Sequence, residues 1–419
     1  MNHLKVLTVA ATDRIGGAGI AAYRMHRALL DAGIAAEMLV WRKTTSDPSV
    51  HRLATRLKLR ARARRKLAAR RHQGLLASNP RIAGGAYWSL NLFGYPIAAV
   101  INGFDADVVH LHWVGDNFLP IQQLASIKEP LVWTLHDMWA FTGGCHYAGD
   151  CMRFADSCGT CPQLAHPRRG DISARVSKAK RKAWAQVPLT VVCPSRWLAD
   201  CAGQSAVLGN KRIEVIANPI DTGAFKPLDR REARYAFNLP LDKKLVLFGA
   251  VDGTADPRKG FMYLREALSA FAGSDGVELV IFGADNKDKA GSIDLDVPMR
   301  RTGILRDDVS LNLLYSACDV FVLPALQDNL PNTLLEALAC GTPCVAFDSG
   351  GIGDLLQHQE NGYLAQLEDA EDLRRGIEWS LAQEWWPEPI HQQVVERYAA
   401  DRVSEQYIGL YQSILGDLS

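Results

Sequence analysis

No stretch of this sequence stays apolar for the roughly 18 to 20 residues that a membrane-spanning helix needs. Neither sign of charge dominates. Lys and Arg number 47 against 46 Asp and Glu, a net +1, so no global field draws the chain to nucleic acid. No internal repeat recurs at a period of roughly 20 to 50 residues, which excludes a solenoid or propeller. The N-terminus, from Met1 to Ala10, lacks the long apolar core and cleavage site of a secretory leader and runs instead into a Gly-rich turn. A cytoplasmic location is the expectation, and there the nine cysteines should be thiols or metal ligands, not disulfides.

What is present is alternation. At 419 residues the chain exceeds what one core usually serves, so two domains are expected. Short apolar runs mark strands at Lys5–Ala10, Glu37–Trp41, Val108–His112, Leu131–His136, Leu189–Cys193 and Glu214–Ala217. Helical spacing lies between them; Ala21, Met25, Ala28, Leu29 and Ala32 share one face. Residues 218–244 are rich in Pro, Gly and charge, which suits a linker with one short helix. Strands resume at Leu245–Gly249, Val277–Gly283, Asp319–Pro324 and Pro343–Phe347, and a last helix covers about Asp401 to Leu415. The fold class is therefore α/β, with two doubly wound parallel sheets in tandem, and ligands are expected beyond the carboxyl ends of the strands, in a cleft between the domains.

Residues 52–71 hold ten Lys or Arg and no acid, with Leu53, Leu57, Ala61, Arg64 and Ala68 on roughly one face. An amphipathic helix on an anionic membrane surface is one reading; a solvated basic face without a partner is the other. RNA binding fits less well, because no aromatics interleave with the charges.

Two segments carry chemistry. In the first, a strand ends at Pro324, a polar loop follows, and Pro331 suits the first turn of a helix that stops near Gly341. The N-terminus of that helix offers unpaired N–H groups and a positive dipole end to a phosphate, and Glu336, about one turn further in, can accept ribose hydroxyls. In the second, Cys145, Cys151, Cys158 and Cys161 are spaced C-x5-C-x6-C-x2-C. Four thiolates can close a structural zinc site; two disulfides or four free thiols are the alternatives.

The stretch 324–346 resembles the signature of the retaining, group 1 (family 4) glycosyltransferases of GT-B fold. That signature has two glutamates separated by seven residues, then Ala, a small residue, Gly, x, Pro and Val. Glu336 matches the second glutamate, which the resemblance assigns to the donor ribose, with Asn329, Leu330, Pro331 and Asn332 also against the donor. Asp328 stands at the first position, where the family usually has Glu, and is assigned to the transferred sugar. Lys259 and Arg258, before Gly260, would neutralise the leaving diphosphate; the family's Gly-Arg-Leu string reads Gly249-Ala250-Val251 here. Gly17, in Gly16-Gly17-Ala18-Gly19, would line the cleft, and His136 would face the donor sugar, with His112 near it. The block from Trp133 to Leu164 is similar to family members active in bacterial exopolysaccharide assembly, including the colanic acid glycosyltransferases.

The resemblance implies an acceptor-side domain at 1–217, a nucleotide-sugar domain at 218–399, and a helix at 400–419 that packs back on the first. It implies hexosyl transfer from a UDP- or GDP-sugar to a glycan or lipid-linked oligosaccharide acceptor, in the cytoplasm or on the inner face of the cell membrane. No catalytic cofactor is expected. Two Asp-x-Asp strings, Asp105-Ala106-Asp107 and Asp294-Leu295-Asp296, match the Mn²⁺ motif of another glycosyltransferase fold, but Asp105–Asp107 precedes a strand where that motif should follow one. A sugar-nucleotide epimerase on the same fold is the rival enzyme. A membrane-associated assembly protein, resting on the basic segment and the cysteines alone, is the non-enzymatic alternative.

Overall fold

The computed structural model describes residues 4–82, 87–249, 256–273, 276–283, 295 and 297–417. The apolar runs become parallel strands, and the central ones are buried on both faces with no polar side to turn to water. The chain divides into two units, one of residues 1–219 with the segment from Val403 onward, the other of Ile220–Arg402.

Unit 1 contains β1 (Lys5–Thr12), β2 (Ala35–Arg42), β3 (Val50–Arg52), β4 (Val108–Leu111), β5 (Leu131–Thr134), β6 (Leu189–Cys193) and β7 (Arg212–Val215). They form one sheet in the order β3-β2-β1-β4-β5-β6-β7. Unit 2 contains β8 (Lys244–Gly249), β9 (Val277–Phe282), β10 (Met299–Gly303), β11 (Val320–Leu323), β12 (Cys344–Phe347) and β13 (Gly362–Ala365), in the order β10-β9-β8-β11-β12-β13. Chain order reverses beside β1 and beside β8. In unit 1 the loops after β1 and β4 flank such a switch point, and in unit 2 the loop after β11 flanks the other; sheets of this kind bind ligands there.

Sequence reading misses β3, β10 and β13, and places β7 two residues late. All four are edge strands. An edge strand is half-solvated, so β10 reads Met-Arg-Arg-Thr-Gly and shows no apolar run. The central strands β4, β5, β6 and β11 are buried at every residue. Each buried Val, Leu or Phe in them contributes about 1.5–3 kcal/mol. Over β1 and β2 the helix Gly16–Asp31 lays Ala21, Ala22, Met25, Ala28 and Leu29.

The basic segment is not one helix but two, Leu53–Arg56 and Leu59–Ser78. Its expected apolar face points inward: Leu53, Leu57, Ala61 and Ala68 all belong to the core of unit 1. The protein, not a membrane, covers that face. What remains outside is a row of exposed cations with Leu59 82% and Leu67 50% exposed among them. Among the described residues no helix is long and apolar enough to cross a membrane. The helix Ala400–Gly416 belongs to unit 1 from Val403 on. There the Tyr407 hydroxyl bonds the Thr134 hydroxyl at 2.7 Å and the Tyr411 hydroxyl bonds His110 Nδ1 at 2.7 Å.

Candidate functional site

In unit 2 the site begins with two close backbone approaches. Gly260 ends the turn Pro257–Lys259 with φ +67°, and a Cβ there would lie 1.7 Å from the Pro324 carbonyl oxygen. Gly350 has φ +58°, and a Cβ there would lie 2.0 Å from the Asp328 carbonyl oxygen. Only glycine fits at either place without moving backbone. The turn Pro257–Lys259 is thereby pressed against the loop after β11, and the Leu326 amide donates to the Arg258 carbonyl at 2.8 Å.

This brings Lys259, Arg258 and Asp328 together. Lys259 Nζ donates to Asp328 Oδ2 at 2.8 Å, and Arg258 Nη1 reaches the same oxygen at 3.3 Å while donating to the Gln327 carbonyl at 2.8 Å. The Asn329 amide donates to Asp328 Oδ1 at 2.9 Å. Burial alone would push the Asp328 carboxyl up; the charges of Lys259 and Arg258 outweigh it and hold it at about 2. The next residues lead into the helix Asn332–Ala339, with Pro331 at its N-cap and Gly341, φ +73°, just past its end. Leu330 is buried, and Asn329 is 2% exposed. Glu336 is 4% exposed, and its Oε2 accepts a hydrogen bond from the Tyr315 hydroxyl at 3.0 Å. Tyr315 is itself held edge-on between Phe282 and Phe321. Sequence reasoning misses Tyr315, because nothing in the helix Asp308–Ala317 marks one tyrosine as special. The string Gly249-Ala250-Val251 falls, after Gly249, outside the described residues.

In unit 1 the loop after β1 is fixed by a residue the motif does not include. Asp13 is fully buried and accepts from the amides and hydroxyls of Thr44 and Thr45 at 2.8–3.0 Å. Gly17 is exposed at the start of the helix; the tight glycine is Gly19, where a Cβ would meet Thr12 Oγ1 at 2.3 Å. His136, just past β5, is hydrogen-bonded through Nε2 to His112 Nδ1 at 2.9 Å, and the two rings stack at 19°. His110 lies against His112 with ring centroids 4.2 Å apart. Burial lowers all three imidazoles, His136 to about 4, His110 to about 3 and His112 well below its ordinary value. They are neutral hydrogen-bonding groups at neutral pH.

The cysteine block belongs to unit 1. Cys145, Cys151, Cys158 and Cys161 are free thiols near enough to influence one another's charge. Among the described residues, however, no three or more His, Cys, Asp or Glu side chains are arranged to hold a metal ion. Burial drives the Cys145 and Cys161 thiols upward, towards the protonated form, the latter to about 11. Other contacts hold the loop: Asp171 accepts from the Cys161 amide at 2.9 Å and caps the helix Ile172–Trp184. Buried Lys180 donates to the carbonyls of Trp139 and Thr142. Asp105 and Asp107 are occupied in anchoring Lys5. The string Asp294-Leu295-Asp296 has both its acids outside the described residues.

Comparison with known proteins decides what these elements belong to. Residues 15–224, half of the chain, match the family model "Glycosyltransferase Family 4", and residues 242–383 match "Glycosyl transferases group 1". The chain belongs to glycosyltransferase family 4.

This glycosyltransferase is 25% identical over 334 residues to the putative colanic acid biosynthesis glycosyl transferase WcaC of Escherichia coli, an alignment spanning 73% of this chain and 76% of that protein. It is 31% identical over 233 residues to the lipopolysaccharide core biosynthesis glycosyltransferase LpsE of Rhizobium meliloti, covering 53% and 64% of the two chains. Its fold is that of GT-B enzymes. Sucrose-phosphate synthase of Thermosynechococcus elongatus superposes with a TM-score of 0.66 at 17% identity, covering 99% of this chain and 100% of that one. HepE of Anabaena, solved with UDP and glucose, superposes with a TM-score of 0.64 at 15% identity over 98% and 100%.

Proposed function

We propose that this glycosyltransferase moves a hexosyl group, with retention, from a UDP- or GDP-sugar to a glycan or lipid-linked oligosaccharide acceptor in surface polysaccharide synthesis. The observation that carries this is the grouping of Lys259, Arg258 and ionised Asp328 beside the N-terminus of the helix that holds buried Glu336. A diphosphate adds negative charge as its bond to the sugar breaks, and two cations next to helix N–H groups stabilise that charge. Before donor arrives, Asp328 keeps those cations in place. Glu336, oriented by Tyr315, takes the ribose. Asp328 meets the sugar with a carboxylate one methylene shorter than the family's usual glutamate. His136 acts as a neutral hydrogen-bonding partner. In this reading Lys259 and Arg258 do the electrostatic work a metal does in other transferases, so the reaction requires no catalytic metal.

The relatives named for colanic acid and lipopolysaccharide core synthesis, and a structural neighbour solved with UDP and glucose, favour this donor and acceptor class. The exposed cations of residues 52–71, with Leu59 and Leu67 among them, would bring the enzyme to an anionic inner membrane surface where a lipid-linked acceptor resides.

The test is a panel of radiolabelled UDP- and GDP-sugars, assayed with a membrane lipid extract and with chelator present. Transfer of label into lipid by the wild type, and its loss in Glu336→Gln, is the expected result. Conversion of the donor sugar to an epimer without any acceptor, or a rate that collapses in chelator and returns with Mn²⁺, would overturn the reading.

A further inference from the structure

Unit 2 contains a second concave site at the other end of its sheet. A cavity of about 290 Å³ is lined by Arg230, Lys244, Asp319, Ser380 and Trp386, among others. Lys244 opens β8 and Asp319 directly precedes β11, so the cavity lies at the amino ends of these strands. Asp328 and Glu336 follow the carboxyl end of β11. The cavity is therefore no part of the donor site.

Its chemistry is mixed. Asp319 is already neutralised by buried Arg234, whose Nη2 donates to Oδ2 at 2.7 Å, and it also accepts from the Leu245 amide at 2.7 Å. Arg230 at 3.1 Å and Lys244 at 3.9 Å share the remaining oxygen. Their side chains are 41% and 51% exposed, so each has donors left to offer. Three cations thus lie on Asp319, two of which, Arg230 and Lys244, line the cavity, and Glu384 stands at the exposed rim. Trp386 contributes an indole that is 71% exposed, unusual for the largest apolar side chain. Pro387 follows it at the first turn of a helix and stiffens its backbone. On the inner wall, Ser380 is 1% exposed and its Oγ has no hydrogen-bond partner, a buried hydroxyl that a ligand can satisfy.

An exposed aromatic face, a pair of solvent-facing cations and a buried lone hydroxyl around one small cavity match an acidic sugar. The C–H face of a pyranose ring stacks on indole, its carboxylate pairs with Arg and Lys, and its hydroxyls need polar partners. The volume is near the roughly 300 Å³ lower bound of small-ligand sites, which suits one or two rings of a chain. We propose that this cavity is a secondary glycan-binding site that holds an acidic pyranosyl residue, stacked on Trp386, with its carboxylate on Arg230 and Lys244 and a hydroxyl on Ser380.

The site goes beyond the transfer reaction, and its test needs no nucleotide sugar, so either reading can fail without the other. Calorimetric titration with tetragalacturonate and with neutral cellotetraose is compared for the wild type, Trp386→Ala and Arg230→Gln. Arg234 still neutralises Asp319 in Arg230→Gln, so that variant decides the matter if Trp386→Ala perturbs the fold by circular dichroism. The expected result is that the wild type binds tetragalacturonate at least ten-fold more tightly than cellotetraose, and that each variant loses at least ten-fold. No binding of tetragalacturonate, equal binding of the neutral chain, or unchanged affinity in Arg230→Gln overturns the proposal.

Discussion

Asp328 in unit 2 and His136 in unit 1 are both titratable groups just past the carboxyl end of a central strand, and the protein treats them in opposite ways. Burial pushes the Asp328 carboxyl up, yet Lys259 and Arg258 hold it ionised at about 2. Burial pulls His136 down to about 4, and the ring nitrogen that meets it belongs to His112, another neutral imidazole. Around Asp328 the local contacts keep charges in place; around His136 they keep charge out. A fixed charge set suits a group whose own charge changes during reaction. A neutral imidazole stack suits orientation of hydroxyls.

The largest effect should come from removing a charge in unit 2. Lys259→Ala is expected to lower kcat/KM for the donor by about 10²–10³-fold, the range for losing one preorganised charge-stabilising group. His136→Gln, which swaps one neutral hydrogen-bonding group for another, should lose about ten-fold. Steady-state kinetics on both variants checks the ratio. A greater loss in His136→Gln would invert the comparison.

Tyr315→Phe sharpens the unit 2 side. It removes the hydrogen bond to Glu336 Oε2 and keeps the ring. Hydrogen bonds to charged groups contribute about 1.5–3 kcal/mol when intact, so a roughly ten-fold rise in donor KM with little change in kcat is expected. A fall in kcat at constant KM would place Tyr315 in the chemical step instead of in ribose binding.

What could be read in advance follows from how local each signal is. The loop and helix from Pro324 to Gly341 were legible because their Pro, Gly and acid signals lie within one βα unit. Lys259 was legible only through resemblance, since its pairing with Asp328 spans 69 residues and depends on Gly260 fitting under Pro324. Tyr315 and Asp13 left no local trace: each matters through partners on another element. Three edge strands were lost and β7 was shifted by two residues, because half-solvated strands have no clear apolar run. The cysteine spacing is limited for a related reason. Spacing reports where thiols lie along the chain, while the packing that buries Cys145 and raises its thiol is decided elsewhere in unit 1.

The smallest expected effect separates the units by acidity. Histidines whose folded values are depressed, His26 to about 4, His136 to about 4 and His110 to about 3, all lie in unit 1. Their unfolded value is near 6.5. Above that pH neither state binds the proton and their contribution is constant. As pH falls below it, the unfolded chain binds protons that the folded unit refuses, and stability drops by roughly 1 kcal/mol per pH unit for each imidazole until the folded values are reached. Asp328 is the opposite case on the same side of the scale: its contribution is full above the unfolded value near 3.8 and is lost only as pH falls towards about 2. Between pH 6.5 and 4.5, unit 1 should therefore loosen before unit 2. Hydrogen exchange, corrected for intrinsic rate, should show β4 and β5 losing protection in that window while β11 and β12 keep theirs. Equal loss in both units would mean that the imidazoles of unit 1 are not held neutral by burial, and the contrast with Asp328 would fall with it.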